Sequence, residues 1–167
     1  MIVAVARAGL AALALSAAVV APAHDSHAPP GSPDQLSPAA HAAAAVVDRF
    51  HDALRKGDTE AAQSLLAEDA LIFEAGGAER GKAEYAAEHL AADAAFSKAV
   101  PAVITRRAGG VNGKQAWMAT EGRITGSSNG KPIDRVTTET MVLQQGSGGW
   151  RIVHIHWSSA PARPKRR

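Results

Sequence analysis

Glu139, His154 and His156 are the residues whose types and spacing best suit acid–base chemistry. Histidine titrates near neutral pH, and a neighbouring carboxylate orients the ring and raises its basicity. Such a pair in an apolar pocket suffices to abstract a proton beside a carbonyl, or to add and remove water. The turn Gly146-Ser147-Gly148-Gly149 pairs Gln145 with Trp150 if the hairpin takes its shortest form. Unbroken antiparallel pairing then sets His156 opposite Glu139, His154 opposite Met141 and Ser158 opposite Thr137. One face carries Ile152, His154, His156 and Ser158 beside Glu139 and Arg135. The other carries Val153, Ile155 and Trp157 beside Val142, Thr140 and Thr138. A slip of one residue would turn every side chain to the opposite face. The blander reading of Glu139 and His156 is a cross-strand ion pair on an exposed sheet, worth about 0.2–1 kcal/mol.

Five further residues are candidate ligand contacts: Tyr85, His89, Trp117, Arg135 and Ser158. Tyr85 and His89 fall one helical turn apart and could close a pocket from above. Arg106 and Arg107 could bind an anion, but neighbours on a strand face opposite ways, so at most one lines a site. Asp48, Asp52, Glu84 and Glu88 read as solvated helix charges. His154 and His156 could chelate a metal with Glu139, but no further ligand stands on the nearby strands. No metal and no cofactor are expected. Neither a glycine-rich phosphate loop nor a Gly-x-Ser-x-Gly elbow is present.

The elements that must position these residues divide into a helical and a strand-forming part. Ser37-Pro38 opens a helix on which Val46, Val47, Phe50 and Leu54 recur at three- and four-residue steps. Gly57 ends it, and Asp58 caps a shorter one through Ala61, Ala62, Leu65 and Leu66. Ala70-Leu71-Ile72-Phe73 is a short strand stopped by Gly76-Gly77. A third helix follows Gly81, with Tyr85, His89, Ala92 and Phe96 on one face. The hydrophobic period then changes to two, in runs near 100–108, 114–126, 133–145 and 150–159. Asn112-Gly113, Ser127-Ser128-Asn129-Gly130 and Gly146-Ser147-Gly148-Gly149 separate them as hairpin turns. The fold class is α+β: three N-terminal helices packed on a curved antiparallel sheet.

The stretch Phe50-His51-Asp52-Ala53-Leu54-Arg55-Lys56-Gly57-Asp58, followed by Leu65-Leu66-Ala67-Glu68-Asp69-Ala70, resembles the opening of SnoaL-like proteins. These belong to the nuclear-transport-factor-2-like, or cystatin-like cone, superfamily. Gly149-Trp150-Arg151-Ile152-Val153-His154-Ile155-His156-Trp157-Ser158 resembles their last strand. The resemblance covers about residues 39–160. It implies a cone whose concave sheet face, closed by helices, forms a pocket, and whose opposite face often makes a homodimer. It leaves function open, since members include isomerases, cyclases, dehydratases and oligomerisation domains. The ketosteroid isomerases of the superfamily use an aspartate base and a tyrosine-centred oxyanion hole. Tyr85 is the only tyrosine here, and no strand aspartate matches that base.

The ends of the chain carry their own signals. Residues 1–23 read as a secretory signal, with Arg7, an apolar run from Ala8 to Ala21 and the small–x–small site Ala21-Pro22-Ala23. Residues 24–37 read as a flexible linker, 38–160 as the domain and 161–167 as a basic tail. His24 and His27 in the linker lack an outer shell to fix them on a metal. With no cysteine in the chain, disulfides, thiolate catalysis and lipid attachment at cysteine are excluded. The formal charge of +2 is misleading. Removing Arg7, Arg163, Lys165, Arg166 and Arg167 from 18 bases leaves 13 against 16 acids, or −3 for residues 24–162. Nucleic acid is therefore not an expected partner, and no stable membrane anchor remains after cleavage of the signal. The expected protein is secreted or periplasmic, homodimeric, and provided with a pocket for a small apolar or mixed ligand. A lyase- or isomerase-type enzyme using the Glu/His pair is the alternative, and a non-catalytic oligomerisation module is a third.

Overall fold

The computed structural model describes residues 34–162. The proposed signal, most of the linker with His24 and His27, and the last residues of the basic tail lie outside them. The order of elements is β1 (Asp34–Leu36), a single 3-10 turn (Pro38–Ala40), α1 (His41–Lys56), α2 (Thr59–Ser64), β2 (Leu66–Glu74), β3 (Gly77–Glu79), α3 (Lys82–Glu88), α4 (Leu90–Ala99), β4 (Ala102–Asn112), β5 (Gln115–Ser128), β6 (Lys131–Gly146) and β7 (Gly149–Pro161). The seven strands form one sheet in the order β1-β4-β5-β6-β7-β2-β3. It is curved and unclosed, with helices on its concave side, so the α+β cone expected from the sequence is the observed architecture.

α1 forms where apolar residues repeat along one stripe, and Ala43, Val46, Val47, Phe50, Ala53 and Leu54 are all buried. Gly57 ends it in the left-handed conformation at φ 76°, and its N–H caps the last turn. The Asp58 carboxylate caps α2 by accepting from the Ala61 N–H at 2.9 Å. The core is built from small pieces, among them Ala40, Ala43, Ala62, Ala70 and Ala116, around Phe50, Met118, Met141, Ile152 and Ile155.

Four local features differ from the sequence expectation. Asp34–Leu36, in the proline-rich linker, form a parallel edge strand on β4. Ala75 and Gly76, both at positive φ, make a two-residue hairpin turn, so the chain reverses into β3 where Gly76-Gly77 was expected only to end a strand. The third helix is two: it breaks at His89, where φ is −122° and ψ −29°. The break coincides with the His89 ring reaching Glu79 and with Asp93, one turn into α4, meeting the Tyr85 hydroxyl.

The fourth difference decides the site. β6 and β7 start as expected, with Gln145 opposite Trp150 and Leu143 opposite Ile152. The register then shifts: Val142 faces His154, leaving Val153 as an extra residue on β7. Ile152 and Ile155, three positions apart, both point into the core as a result. Beyond this bulge Glu139 faces Trp157, while His156 faces Thr140. The expected pairing of Glu139 with His156 is therefore corrected by one residue, and the faces of β7 exchange with it.

Candidate active site

A cavity of about 470 Å³ lies between the concave sheet face and helices α1 and α4. Its floor contains a polar row. Arg107 pairs with Thr120, Thr120 with Glu139, Glu139 with Trp157, and Trp157 with Glu74, so five neighbouring strands each contribute one side chain. All five residues line the cavity. α1 supplies the roof above one end through Asp48 and His51, one turn apart, and α4 supplies Asp93 and Phe96.

Glu139 is the centre of this row and is 8% exposed. Its Oε2 accepts from His51 Nε2 at 2.7 Å and from the Trp157 indole Nε1 at 2.8 Å. Burial alone would raise the pKa of the Glu139 carboxyl. The charge and hydrogen bond of His51, the indole hydrogen bond and the nearby Arg107 charge outweigh it and hold the carboxyl below its ordinary range. Trp157 is fixed in turn by stacking on Phe50, with ring centroids 6.4 Å apart and planes at 22°. In the neutral ring, an Nε2–H bonded to Glu139 leaves the lone pair on His51 Nδ1, the nitrogen that can act as a base.

Next along the row, Arg107 is 6% exposed and ties its Nη1 to the Asp48 carboxylate at 2.7 Å. Its Nε and Nη2 are buried and have no partner, and the same holds for Thr120 Oγ1 and Glu139 Oε1. The other end of the cavity is acidic. The Tyr85 hydroxyl donates to Asp93 Oδ2 at 2.8 Å, and Glu79 pairs with His89. Burial, then the neighbouring Asp93 and Glu79 charges, push the Glu74 carboxyl up, against a smaller opposing effect of His89. Burial likewise pushes Asp93 up, despite the Tyr85 hydrogen bond and His89, which act downward. Tyr85 is raised by burial and by Asp93.

Of the residues expected from the sequence, Glu139, Arg135 and Ser158 line the cavity. Arg135 donates through Nε and Nη2 to Ser159 at 3.0 Å each. His154 and His156 lie on the outer face beside Leu71 and Phe73 of β2, because the bulge turns them away from Glu139. His154 Nδ1 is bonded to the Leu71 carbonyl at 2.9 Å, and both rings sit edge-on to Phe73. Tyr85 is fully buried and reaches the cavity only through Asp93, while His89, with a 57% exposed side chain, sits outside it on Glu79. Trp117 projects from the outer face over Gly110 and is 48% exposed.

Sequence reasoning missed His51, Asp48, Trp157, Glu74 and Asp93. His51 carried a usable signal, since it falls between Val47 and Leu54 on the buried stripe of α1. Asp48 carried none, because a half-exposed helix aspartate reads as solvated until Arg107 is placed beneath it. The arginine pair resolved as the strand period requires: Arg107 faces in, and Arg106 faces out toward Glu121. Among the described residues, no group of three or more His, Asp, Glu or Cys side chains is arranged to hold a metal ion.

A family profile for the SnoaL-like domain matches residues 43–163. A solved structure of a provisionally assigned ketosteroid isomerase from Shewanella frigidimarina is 35% identical, with 74% of this chain covering 99% of that one at a TM-score of 0.70. A provisionally assigned dehydratase of the NTF2-like family from Streptomyces avermitilis matches at 19% identity, 74% and 97% coverage and a TM-score of 0.65. The similarly assigned calcium/calmodulin-dependent protein kinase II association domain from Xanthomonas campestris matches at 21% identity, 72% and 87% coverage and a TM-score of 0.57. These last two establish the shared fold alone. No curated protein matches the sequence.

Proposed function

The chain belongs to the SnoaL-like family, and on that footing we propose that it binds a small molecule in the cone and transfers a proton on it, as an isomerase- or lyase-type enzyme. The observation that carries this reading is the buried Glu139 carboxylate bonded to His51 Nε2 on the cavity floor. The pair has the parts that the sequence sought in Glu139 and His156. The carboxylate fixes the ring and its tautomer, and the ring offers Nδ1 to a substrate C–H or O–H. The abstracted proton resides on Nδ1, the resulting imidazolium is stabilised by Glu139, and the same proton returns to a neighbouring atom or to a leaving hydroxyl.

Deuterium incorporation into a panel of enolisable carbonyl compounds, followed by proton NMR, tests the reading. His51→Gln should slow exchange by about 10²–10⁴-fold, the usual contribution of a positioned base. Exchange unaffected by His51→Gln removes the pair from catalysis. A panel that binds in the cavity but exchanges no proton supports a binding module instead.

Export and dimerisation belong to the same proposal. Residues 1–23 carry the pattern of a cleaved secretory signal, and the intact mass of protein from the cell envelope should show a start near His24. The outer sheet face exposes Leu71, Phe73, Trp117 and Val136, which suits a second copy of the chain. These replace Val153, Ile155 and Trp157 as the apolar side, since Ile155 is buried and Trp157 lines the cavity. Sedimentation of a strict monomer at micromolar concentration removes the dimer and leaves the cavity chemistry intact.

A further inference from the structure

We infer that the ligand of this cavity carries a carboxylate, seated on the free edge of Arg107, with an apolar body extending toward the mouth. The inference rests on the cavity being a ligand site and specifies the ligand's class. A buried guanidinium with two unpartnered nitrogens is costly unless something outside the chain meets them. Arg107 is such a group: Nη1 is engaged by Asp48, and Nε and Nη2 are buried without partners. Those two nitrogens form the side of the guanidinium fork that receives a carboxylate in two parallel hydrogen bonds.

The chain contains its own example of that geometry. Arg123 donates through Nε to Asp134 Oδ1 at 2.7 Å and through Nη2 to Asp134 Oδ2 at 2.6 Å. The same two nitrogens are free in Arg107. No carboxylate of the described residues takes them, although Glu139 lies only two strands away in the same row. Thr120 Oγ1, between the two, is also unpartnered and can donate to a further carboxylate lone pair.

Charge and shape narrow the class. Arg107 already shares its charge with Asp48, and the Glu139 carboxylate sits nearby, so a monoanion suits the site better than a dianionic phosphate. Beside polar residues such as Arg135, Ser158 and Asp93, the lining has an apolar part made by Phe96, Val100, Val103, Ile104, Ile124 and Ile133. A carboxylate on Arg107 also brings the carbons next to it under α1, because Asp48, which holds Arg107, is one turn from His51.

The test is binding alone, so it reads the ligand class whether or not a proton is transferred. Naphthylacetate, its uncharged amide and naphthyl phosphate are titrated into the full chain by calorimetry. The carboxylate should bind about 10- to 100-fold more tightly than the amide, the range for hydrogen bonds to a charged group. Arg107→Gln should abolish that preference, costing the carboxylate more affinity than the amide. In the unsubstituted protein the Arg107 Nε–H resonance should shift with the carboxylate and not with the amide, which preserves the test if Arg107→Gln fails to fold. Equal binding of acid and amide, or no binding of either at millimolar concentration, overturns the proposal. A preference that survives Arg107→Gln, or an Nε–H resonance that the carboxylate does not move, also overturns it. Tighter binding of the phosphate overturns the carboxylate assignment.

Discussion

Glu139 and Trp157 face each other across β6 and β7, and the indole Nε1 donates to the carboxylate at 2.8 Å. The bulge at Val153 creates this contact. An unbroken ladder would put the His156 ring in that place and turn the indole outward. The indole supplies a hydrogen-bond donor that does not titrate, so Glu139 keeps one fixed partner whatever the protonation of His51.

Trp157→Phe should therefore destabilise the protein by about 1–3 kcal/mol in chemical denaturation near neutral pH, the usual cost of losing a donor to a buried charged acceptor. The loss should shrink in acid as Glu139 becomes protonated. A loss independent of pH would mean that only packing against Phe50 had been removed.

Glu139→Gln should weaken the protein more near neutral pH than in acid. The folded-state pKa of Glu139 is depressed, so its ionised form contributes stability that is present above the unfolded value, about 4.3. That contribution is lost as pH falls through the folded value. Stability curves of the two proteins should converge in strong acid and separate above the unfolded pKa. Curves as far apart in strong acid as near neutral pH would contradict the depressed pKa.

Asp93 should respond in the opposite sense. Its folded-state pKa is raised, chiefly by burial, so the ionised form opposes folding. Asp93→Asn keeps an acceptor for the Tyr85 hydroxyl and removes that charge. It should stabilise the protein above the folded pKa, with the gain vanishing below the unfolded value. Asp93→Ala leaves the buried hydroxyl without its acceptor and should cost about 1–3 kcal/mol. Melting curves across pH for both variants check the pair, and a destabilised Asp93→Asn at neutral pH would count against it.

Much of the fold was legible because its signals are local. The apolar stripe of α1, the Gly57 and Asp58 caps and the alternating runs of the meander each state their conformation within a few residues. Glu139 was legible for a related reason: it sits in the middle of a long alternating strand. Its partner was not. Val153 looks like any other strand residue, and nothing in its type announces a bulge, yet the inserted residue reassigns every side chain beyond it. His51 and Asp93 were illegible for a different reason. They reach the site from helices, and the packing of helix on sheet is set by contacts remote in sequence. Deleting Val153 checks this directly. With the extra residue gone, regular pairing still sets Ile155 opposite Met141 and Trp157 opposite Glu139, so the deletion should keep cooperative unfolding, and Val153→Ala should cost less than about 1.5 kcal/mol; loss of cooperative unfolding on deletion would contradict the bulge.

The tautomer of His51 tests the acid–base pair most directly. Long-range nitrogen–proton correlation spectra of the labelled full chain at alkaline pH distinguish a protonated ring nitrogen from a bare one. Glu139 bonded to Nε2 requires the proton on Nε2 and a lone pair on Nδ1, with Glu139→Gln releasing the ring to a mixture of both forms. A His51 ring protonated on Nδ1, or one whose spectrum is unmoved by Glu139→Gln, would contradict the pair and the proton transfer built on it.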